Sequence, residues 1–250
     1  MAAPWTFLPL LSIDTETTST DPFDARIVEV AAVEVAPDGT ATDEWSTIVN
    51  PGIEVPDEAA AIHGITTERA CNEGIEPLAA LGGLAGRVWE HIERHNGQAG
   101  LVMFNARFDW PLILTEAERH GVDMPCFASI LDPYLIDRMA DRYRKGKRQL
   151  TLVADHYGVD LGDQAHGALA DATAAGRVMW QILDRYPAIG DHTLASLWLR
   201  QVKGHETDRE RFEDYMRRNV DPSTEIVAGW PIPVKAEKPR AQAPTTGATA

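Results

Sequence analysis

The sequence predicts a mixed α/β domain, and three observations lead there. An apolar run closing on Leu10-Leu11-Ser12-Ile13 precedes a valine-rich alternating segment, Arg26 to Val35, and a further strand-like segment at 41–49. Pro37-Asp38-Gly39 forms the turn between the last two, so the three read as an antiparallel meander. Downstream, segments with helical periodicity alternate with short apolar strands, which is the pattern of a mixed α/β architecture.

The elements follow in order. Residues 7–14 read as a first, buried strand. Leu78, Leu81, Leu84, Val88 and Ile92 recur at helical spacing. Leu101-Val102-Met103-Phe104 is a short buried strand, and a helix follows with Pro111 expected in its first turn, where a missing N–H is tolerated. Ile130 and Leu131 allow one more short strand. Helices are expected over 149–157 and 168–184, the second with an apolar stripe of Leu169, Ala172, Gly176, Met179 and Leu183. After Pro187, Leu194, Leu197, Trp198 and Val202 suggest one amphipathic helix, and Phe212, Tyr215 and Met216 a second, charge-rich one. Gly229-Trp230-Pro231-Ile232-Pro233 reads as an extended strap. Residues 235–250 carry too few large apolar groups to offset the entropy of ordering and are expected to be a disordered tail. The division expected is a domain at 1–189, a helical extension and strap at 190–234, and the tail.

Composition narrows the function classes. Hydrophobic residues at 44% and charged residues at 24% fit a soluble globular protein. No basic n-region precedes an apolar core at the N-terminus, and no apolar run is long enough to cross a bilayer, so no membrane partner is expected. Cys71 and Cys126 lack metal-binding spacing, and a reducing cytoplasm is the expected location. The net charge of −15 argues against a protein that coats nucleic acid, but not against an enzyme that meets a few phosphates through metal ions. Locally the balance reverses: 138–148, RMADRYRKGKR, holds six basic residues and one acid. It reads either as a solvated loop or as a phosphate-attracting rim.

Five residues carry the chemistry. Asp14 and Glu16 end the first apolar run, and residues two apart on a strand share a side, so two carboxylates stand together beside the core. Such a pair is costly without a positive partner, and hard oxygen donors suit Mg²⁺ or Mn²⁺. Asp109 follows the 101–104 strand near a helix start. His166 and Asp171 are five apart, which on one helix separates them by roughly 140°. The simpler arrangement puts His166 in a loop, Gly167 as a hinge and Asp171 in the helix. A loop histidine above carboxylates suits a general base, its unperturbed pKa lying near 6.5. Four acids and one histidine fit hydrolysis by two divalent ions about 3.5–4 Å apart. Each residue alone has a plainer reading: a solvent-facing strand end for Asp14 and Glu16, a helix N-cap for Asp109, surface positions for His166 and Asp171.

Taken together, the segments SIDTETTSTD (12–21), RIVEVAAVEV (26–35), AIHGIT (61–66), FNARFD (104–109) and HGALADA (166–172) resemble the DEDDh 3′→5′ exonucleases, the DnaQ-like family of the proofreading subunit of bacterial replicative polymerase. The resemblance covers roughly residues 5–186. It implies an RNase H-like mixed β-sheet flanked by helices, here with a C-terminal helical extension. It implies Asp14 as the ligand shared by two metals, Glu16 and Asp171 on the metal carrying the nucleophilic water, Asp109 on the second metal, and His166 as general base. It further implies Thr17 near the terminal 3′-OH, with Ile62, His63, Asn105 and Phe108 lining or supporting the terminal nucleotide pocket. For His63 a turn role stands beside direct contact, and for Phe108 a core role beside stacking. Many relatives carry His where this chain has Phe104, which alters pocket shape and no metal ligand. With an acidic site in view, Arg144, Lys145, Lys147 and Arg148 become candidates to hold phosphates of the trimmed strand.

The function expected is metal-dependent 3′→5′ exonuclease action on mainly single-stranded DNA ends, with proofreading beside a separate polymerase chain, or repair, as its setting. An exoribonuclease is the alternative in the same class, and a non-catalytic interaction module with the same fold the alternative outside it. All five catalytic positions being filled weighs against the module.

Overall fold

The computed structural model describes residues 4–125, 129–161 and 167–234. Its centre is a five-stranded sheet of β1 (Leu10–Thr17), β2 (Ile27–Val35), β3 (Ala41–Ile48), β4 (Leu101–Val102) and β5 (Ile130–Leu131), in the spatial order β3-β2-β1-β4-β5. The β1/β2 and β2/β3 pairs are antiparallel, and β1/β4 and β4/β5 are parallel, so the meander and crossover halves meet on β1. The helices are α1 (Asp57–His63), α2 (Thr67–Glu73), α3 (Pro77–Arg94), α4 (Ala106–His120), α5 (Pro133–Ala140), α6 (Leu150–Tyr157), α7 (Ala168–Arg185) and α8 (Leu194–Asn219). The expected mixed sheet flanked by helices is what forms, and the C-terminal helix is present. None of the described helices is long and apolar enough to cross a membrane.

Alternation along β1 and β2 feeds two cores. Leu11, Ile13, Val30 and Ala32 pack against α3 and α4 through Leu81, Leu84, Val88, Trp110 and Ile113. Leu10, Ala31, Val33 and Val35 pack against α7 and α6 through Ala172, Ala175, Met179 and Val153. A fully buried aliphatic side chain contributes roughly 1.5–3 kcal/mol, so neither layer is dispensable. Close approach of α7 depends on Gly176: a Cβ there would lie 2.6 Å from Val35 Cγ2 and 3.3 Å from Ser12 Cβ. The small residue lets the helix bearing Asp171 lie directly on β1 and β2.

Several element boundaries depart from the sequence expectation. β1 starts at Leu10 rather than residue 7, because Trp5–Phe7 close a 3-10 turn and Pro9 has no N–H to give a ladder. It then runs through both acids, keeping register with β2 to Glu16↔Glu29 before shifting to Thr17↔Ile27. Helix α4 starts at Ala106, which puts Pro111 inside the second turn rather than the first. The early start has a cause: Asp132 accepts the N–H groups of Asn105 and Ala106, at 2.9 and 3.1 Å, and Asn105 adopts the left-handed conformation that Asn tolerates. Leu78 is 58% exposed and belongs to no core, unlike Leu81 and Leu84. The two helices expected after Pro187 are one, α8, whose charged half is laced by Arg209–Glu206, Arg209–Glu213 and Arg217–Glu213 pairs at helical spacing. Helices α1, α2 and α5 are additional. Each is at most eight residues long and too short to show an apolar period, although Asp132 followed by Pro133 is a helix-start signal for α5. The tail expected at 235–250 lies outside the described residues.

The C-terminal extension is built into the sheet rather than laid over it. Gln201, fully buried on α8, accepts the Asp132 N–H at 2.8 Å and donates to the Ile130 carbonyl at 2.8 Å. Its side-chain amide thus takes the place of a further strand along the outer edge of β5. Trp198 packs on Trp230 of the strap, ring centroids 5.0 Å apart, and Trp230 Nε1 reaches Asp132 at 3.3 Å. Replacing Gln201 by Leu leaves two buried backbone groups unpaired, each costing about 1–3 kcal/mol. Urea denaturation of Gln201→Leu should show a loss of about 2–5 kcal/mol, whereas the exposed Lys203→Ala stays within about 0.5 kcal/mol. Equal stability of the two variants would show that the extension is not anchored through this amide.

Candidate active site

The acidic residues converge at the C-terminal end of β1. Asp14 and Glu16 project from alternate positions of the strand onto the side covered by α7, and Asp171 stands in the first turn of that helix. One carboxylate oxygen from each of Asp14, Glu16 and Asp171 lies within 4.8 Å of the others. Two unit charges 4 Å apart repel by about 4 kcal/mol at an effective dielectric constant of 20, so three such groups cannot all ionise cheaply. The carboxyl groups respond as expected. Burial, then Asp109, Asp171, Glu16 and Glu29, hold Asp14 well above the usual carboxylate range. Burial, with Asp171, Glu29 and Asp109, pushes Glu16 up to about 8. Oxygen donors at this density match a hard divalent cation, whose charge would remove both penalties. The cluster can hold such a metal.

Asp109 sits apart from the three. It is buried in the first turn of α4, and its Oδ1 accepts the Thr15 hydroxyl at 2.6 Å. Burial raises its pKa to about 7 against the opposing effect of that hydrogen bond. Its charge still acts on Asp14 and Glu16, so it borders the cluster. His166 lies outside the described residues.

Three positioning residues were not singled out from sequence. Thr15, between the two acids, faces the opposite side of the strand and holds Asp109. Glu29, across the ladder from Glu16, accepts the Ala168 N–H at 3.2 Å and so meets the N-terminus of α7, one turn from Asp171. A carboxylate at a helix N-terminus is favourable for the helix. Asp132 caps both α4 and α5, taking N–H groups from Asn105, Ala106, Tyr134 and Leu135. Burial raises its pKa to about 6 against those bonds. The signal for Thr15 was the strand alternation already used for Asp14 and Glu16, and for Asp132 the Pro at the next position. Glu29 had no local signal, because its partner is 139 positions away.

The residues expected around a terminal nucleotide fall in two groups. His63 closes the end of α1, its Nδ1 accepting the Ile65 N–H at 3.1 Å; burial lowers its pKa, and the Thr17 backbone opposes the shift. Thr17 and His63 are therefore neighbours, and Ile62 is 65% exposed beside them. Asn105 is exposed at the start of α4, and Phe108 packs partly into the α3/α4 core. Phe104 is half-buried, edge-on to Tyr134 at 5.9 Å.

The basic run has a structural use that its charge did not reveal. Arg144 and Arg148 both bind the fully buried carboxylate of Asp137, Arg144 Nη2 at 2.6 Å from Oδ2, while the Tyr157 hydroxyl donates to Oδ1 at 2.8 Å. Burial alone would raise the Asp137 pKa; these bonds hold it below the ordinary value. The phosphate role expected of Arg144 thus meets a competing use, since its guanidinium ties the loop to α5. Lys145 and Lys147 remain exposed.

Comparison with known proteins agrees with this geometry. The family model RNase_T, described as Exonuclease, matches residues 11–179, the span from β1 into α7. Exonuclease DPD1 of Arabidopsis thaliana is 29% identical over 180 residues, covering 70% of this chain and 56% of that protein. The DNA polymerase III subunit epsilon of Rickettsia conorii is 28% identical over 176 residues, covering 68% of this chain and 72% of that one. Among solved structures, E. coli exonuclease I in complex with a dA16 oligonucleotide superposes with a TM-score of 0.59 at 20% identity, over 74% of this chain and 42% of that one, a likeness of fold. The chain spans little more than half the length of the plant relative and less than half of exonuclease I. From the match across 11–179 and the acids it contains, the chain belongs to the RNase_T exonuclease family.

Proposed function

We propose that this chain is a metal-dependent 3′→5′ exonuclease that trims mainly single-stranded DNA ends and releases nucleoside 5′-monophosphates. The observation that carries the reading is the Asp14–Glu16–Asp171 cluster, three carboxyl groups so close that a bound cation is what lets them ionise together. Asp14, Glu16 and Asp171 would hold one divalent ion, Mg²⁺ or Mn²⁺, and Asp14 with Asp109 a second. Bound there, such ions supply an activated water and a counter-charge for the leaving 3′-oxygen.

The chain's own groups do the rest. His166 accepts the proton of the attacking water; the water oxygen bonds to phosphorus, and the bond from phosphorus to the preceding nucleotide's 3′-oxygen breaks. Thr17, with Ile62 and His63 beside it, and Asn105 and Phe108 on α4, bind the terminal nucleotide with its 3′-OH inward. Lys145 and Lys147 meet phosphates further along the strand. Binding of a DNA oligonucleotide by exonuclease I supports the DNA reading, and the likeness to epsilon subunits supports action beside a separate polymerase chain.

The test is purified protein with Mn²⁺ and 5′-labelled single-stranded DNA, duplex DNA and RNA in parallel. Shortening should proceed from 3′ ends, fastest on single-stranded DNA, stop with chelator, and be blocked by a 3′-phosphate. Asp14→Asn should remove most of the activity while the fold persists, and His166→Ala should slow turnover by about 10²–10⁴-fold with metal affinity kept. Full activity of folded Asp14→Asn would overturn the metal assignment, and preference for RNA would move the substrate to the ribonuclease class.

The basic loop divides into two predictions that one set of variants separates. Charge reversal at Lys145 and Lys147 should raise the apparent KM for a long single strand more than for a dinucleotide, with no change in urea midpoint. Arg144→Glu should instead lower stability by on the order of 3 kcal/mol, because it strips a partner from a buried charge. Equal KM effects on both substrates would place the lysines away from the strand.

A further inference from the structure

A second donor cluster lies on the other face of the sheet. Glu34 is on β2 opposite Leu11, toward the N-terminal end of β1, and faces α3, whereas the acidic cluster faces α7 at the opposite end of β1. His91 and His95 stand four residues apart at the end of α3, which puts both rings on one side of the helix. Their centroids are 4.9 Å apart, and one donor atom from each of Glu34, His91 and His95 lies within 4.8 Å of the others. Glu34 and His91 are almost wholly inaccessible, at 6% and 1% exposure. Nothing in the hydrolytic reaction uses these residues.

The state of the donors points to what is absent. His91 Nδ1 and Glu34 Oε1 stand 2.7 Å apart, close enough for one cation to replace the hydrogen bond between them. The Nε2 atoms of both His91 and His95 are buried without a hydrogen-bond partner among the described residues. Two neighbouring imidazoles, each with a buried and unpartnered nitrogen, are costly as they stand and well suited to a cation that takes nitrogen. Arg94 also contacts Glu34 Oε1, at 2.9 Å, but Glu90 at 2.6 Å and Asp43 at 4.0 Å offset its charge.

We propose that Glu34, His91 and His95 form a transition-metal site of the zinc class, two imidazoles and one carboxylate, separate from the acidic centre and joining α3 to β2. Two nitrogens and one oxygen in a small buried cluster select Zn²⁺ over the Mg²⁺ that suits an all-oxygen site.

The experiment is Zn²⁺ titration of the stripped full-length protein in excess Mg²⁺, read by competition with a chromophoric zinc indicator. Excess Mg²⁺ competes for the oxygen-donor cluster, and Asp14→Asn reports any Zn²⁺ taken up there. The wild-type chain should take up one equivalent of Zn²⁺ and show a zinc-dependent rise in Tm. His95→Gln, half-buried and so the mildest change, should weaken Zn²⁺ binding by at least about 10-fold while keeping the zinc-free Tm and the Mg²⁺-dependent turnover. Asp14→Asn should bind Zn²⁺ as the wild type does. The site is overturned if the wild type takes up no Zn²⁺, if His95→Gln binds it equally, or if uptake is lost in Asp14→Asn instead. Loss of Mg²⁺-dependent turnover in His95→Gln would also overturn it, by tying the cluster to the acidic centre. Because the readout is metal uptake, it holds whatever substrate the acidic centre cleaves.

Discussion

Repulsion among carboxylates at the end of β1 is the constraint that the surrounding structure answers. Asp14, Glu16 and Asp171 bring oxygens within 4.8 Å of one another, in partial burial, with Asp109 adding charge from α4. A chain free to relax would turn these groups outward. Here it cannot, because each sits on an element whose position is fixed elsewhere. Asp14 and Glu16 belong to β1, which pairs with β2 along its whole length and with β4 at Leu11 and Ser12. Asp171 rides on α7, seated against Val35 and Ser12 through Gly176 and met at its first turn by Glu29. Asp109 is held by Thr15 and by a helix whose start Asp132 sets. The strain is thus stored by the fold, and a bound cation would relieve it, which is how preorganised metal sites gain affinity.

The C-terminal extension takes part in this. Gln201 and Trp230 meet Asp132, and Asp132 meets the backbone that begins α4. A route of direct contacts therefore runs from α8 and the strap to the helix carrying Asp109. Gln201 and Trp230 lie beyond the segment matched by the family model, so the extension steadies the acidic centre from outside that segment. The basic loop is braced in a similar way: Arg144 and Arg148 spend their charge on Asp137, leaving the lysines between them for solvent or ligand.

The sheet and the acidic pair were legible because their signals are local. Alternation gave β2 and β3, the apolar run gave the burial of β1, and the period of two placed Asp14 and Glu16 together. Elements whose stability comes from distant partners were not legible. Helices α1, α2 and α5 are too short for a period, and the early start of α4 depends on Asp132, 26 residues beyond Ala106. Leu78 matched the helical stripe, yet it is exposed, because the period alone does not say where a helix loses its cover. Charge was the least reliable guide. A run of six basic residues looked like one surface, yet two of its arginines point inward to an acid that nothing nearby in sequence announces. Glu34, read only as part of a strand, proved to be the carboxylate of a histidine cluster for the same reason.

The central claim is that the acidic centre holds protons in the absence of metal and exchanges them for a cation. With Glu16 raised to about 8 and Asp109 to about 7, these two groups carry protons at neutral pH that a cation must displace. Metal affinity should therefore rise with pH up to about 8 and then level off. Calorimetric titration of Mn²⁺ into the protein at pH 7, repeated in buffers of different ionisation enthalpy, measures the exchange directly. The account predicts release of at least one proton per chain at pH 7, little release above about pH 9, and loss of the signal in Asp14→Asn. Mn²⁺ binding at pH 7 with no buffer dependence would mean that the carboxylates are already ionised, and would contradict it.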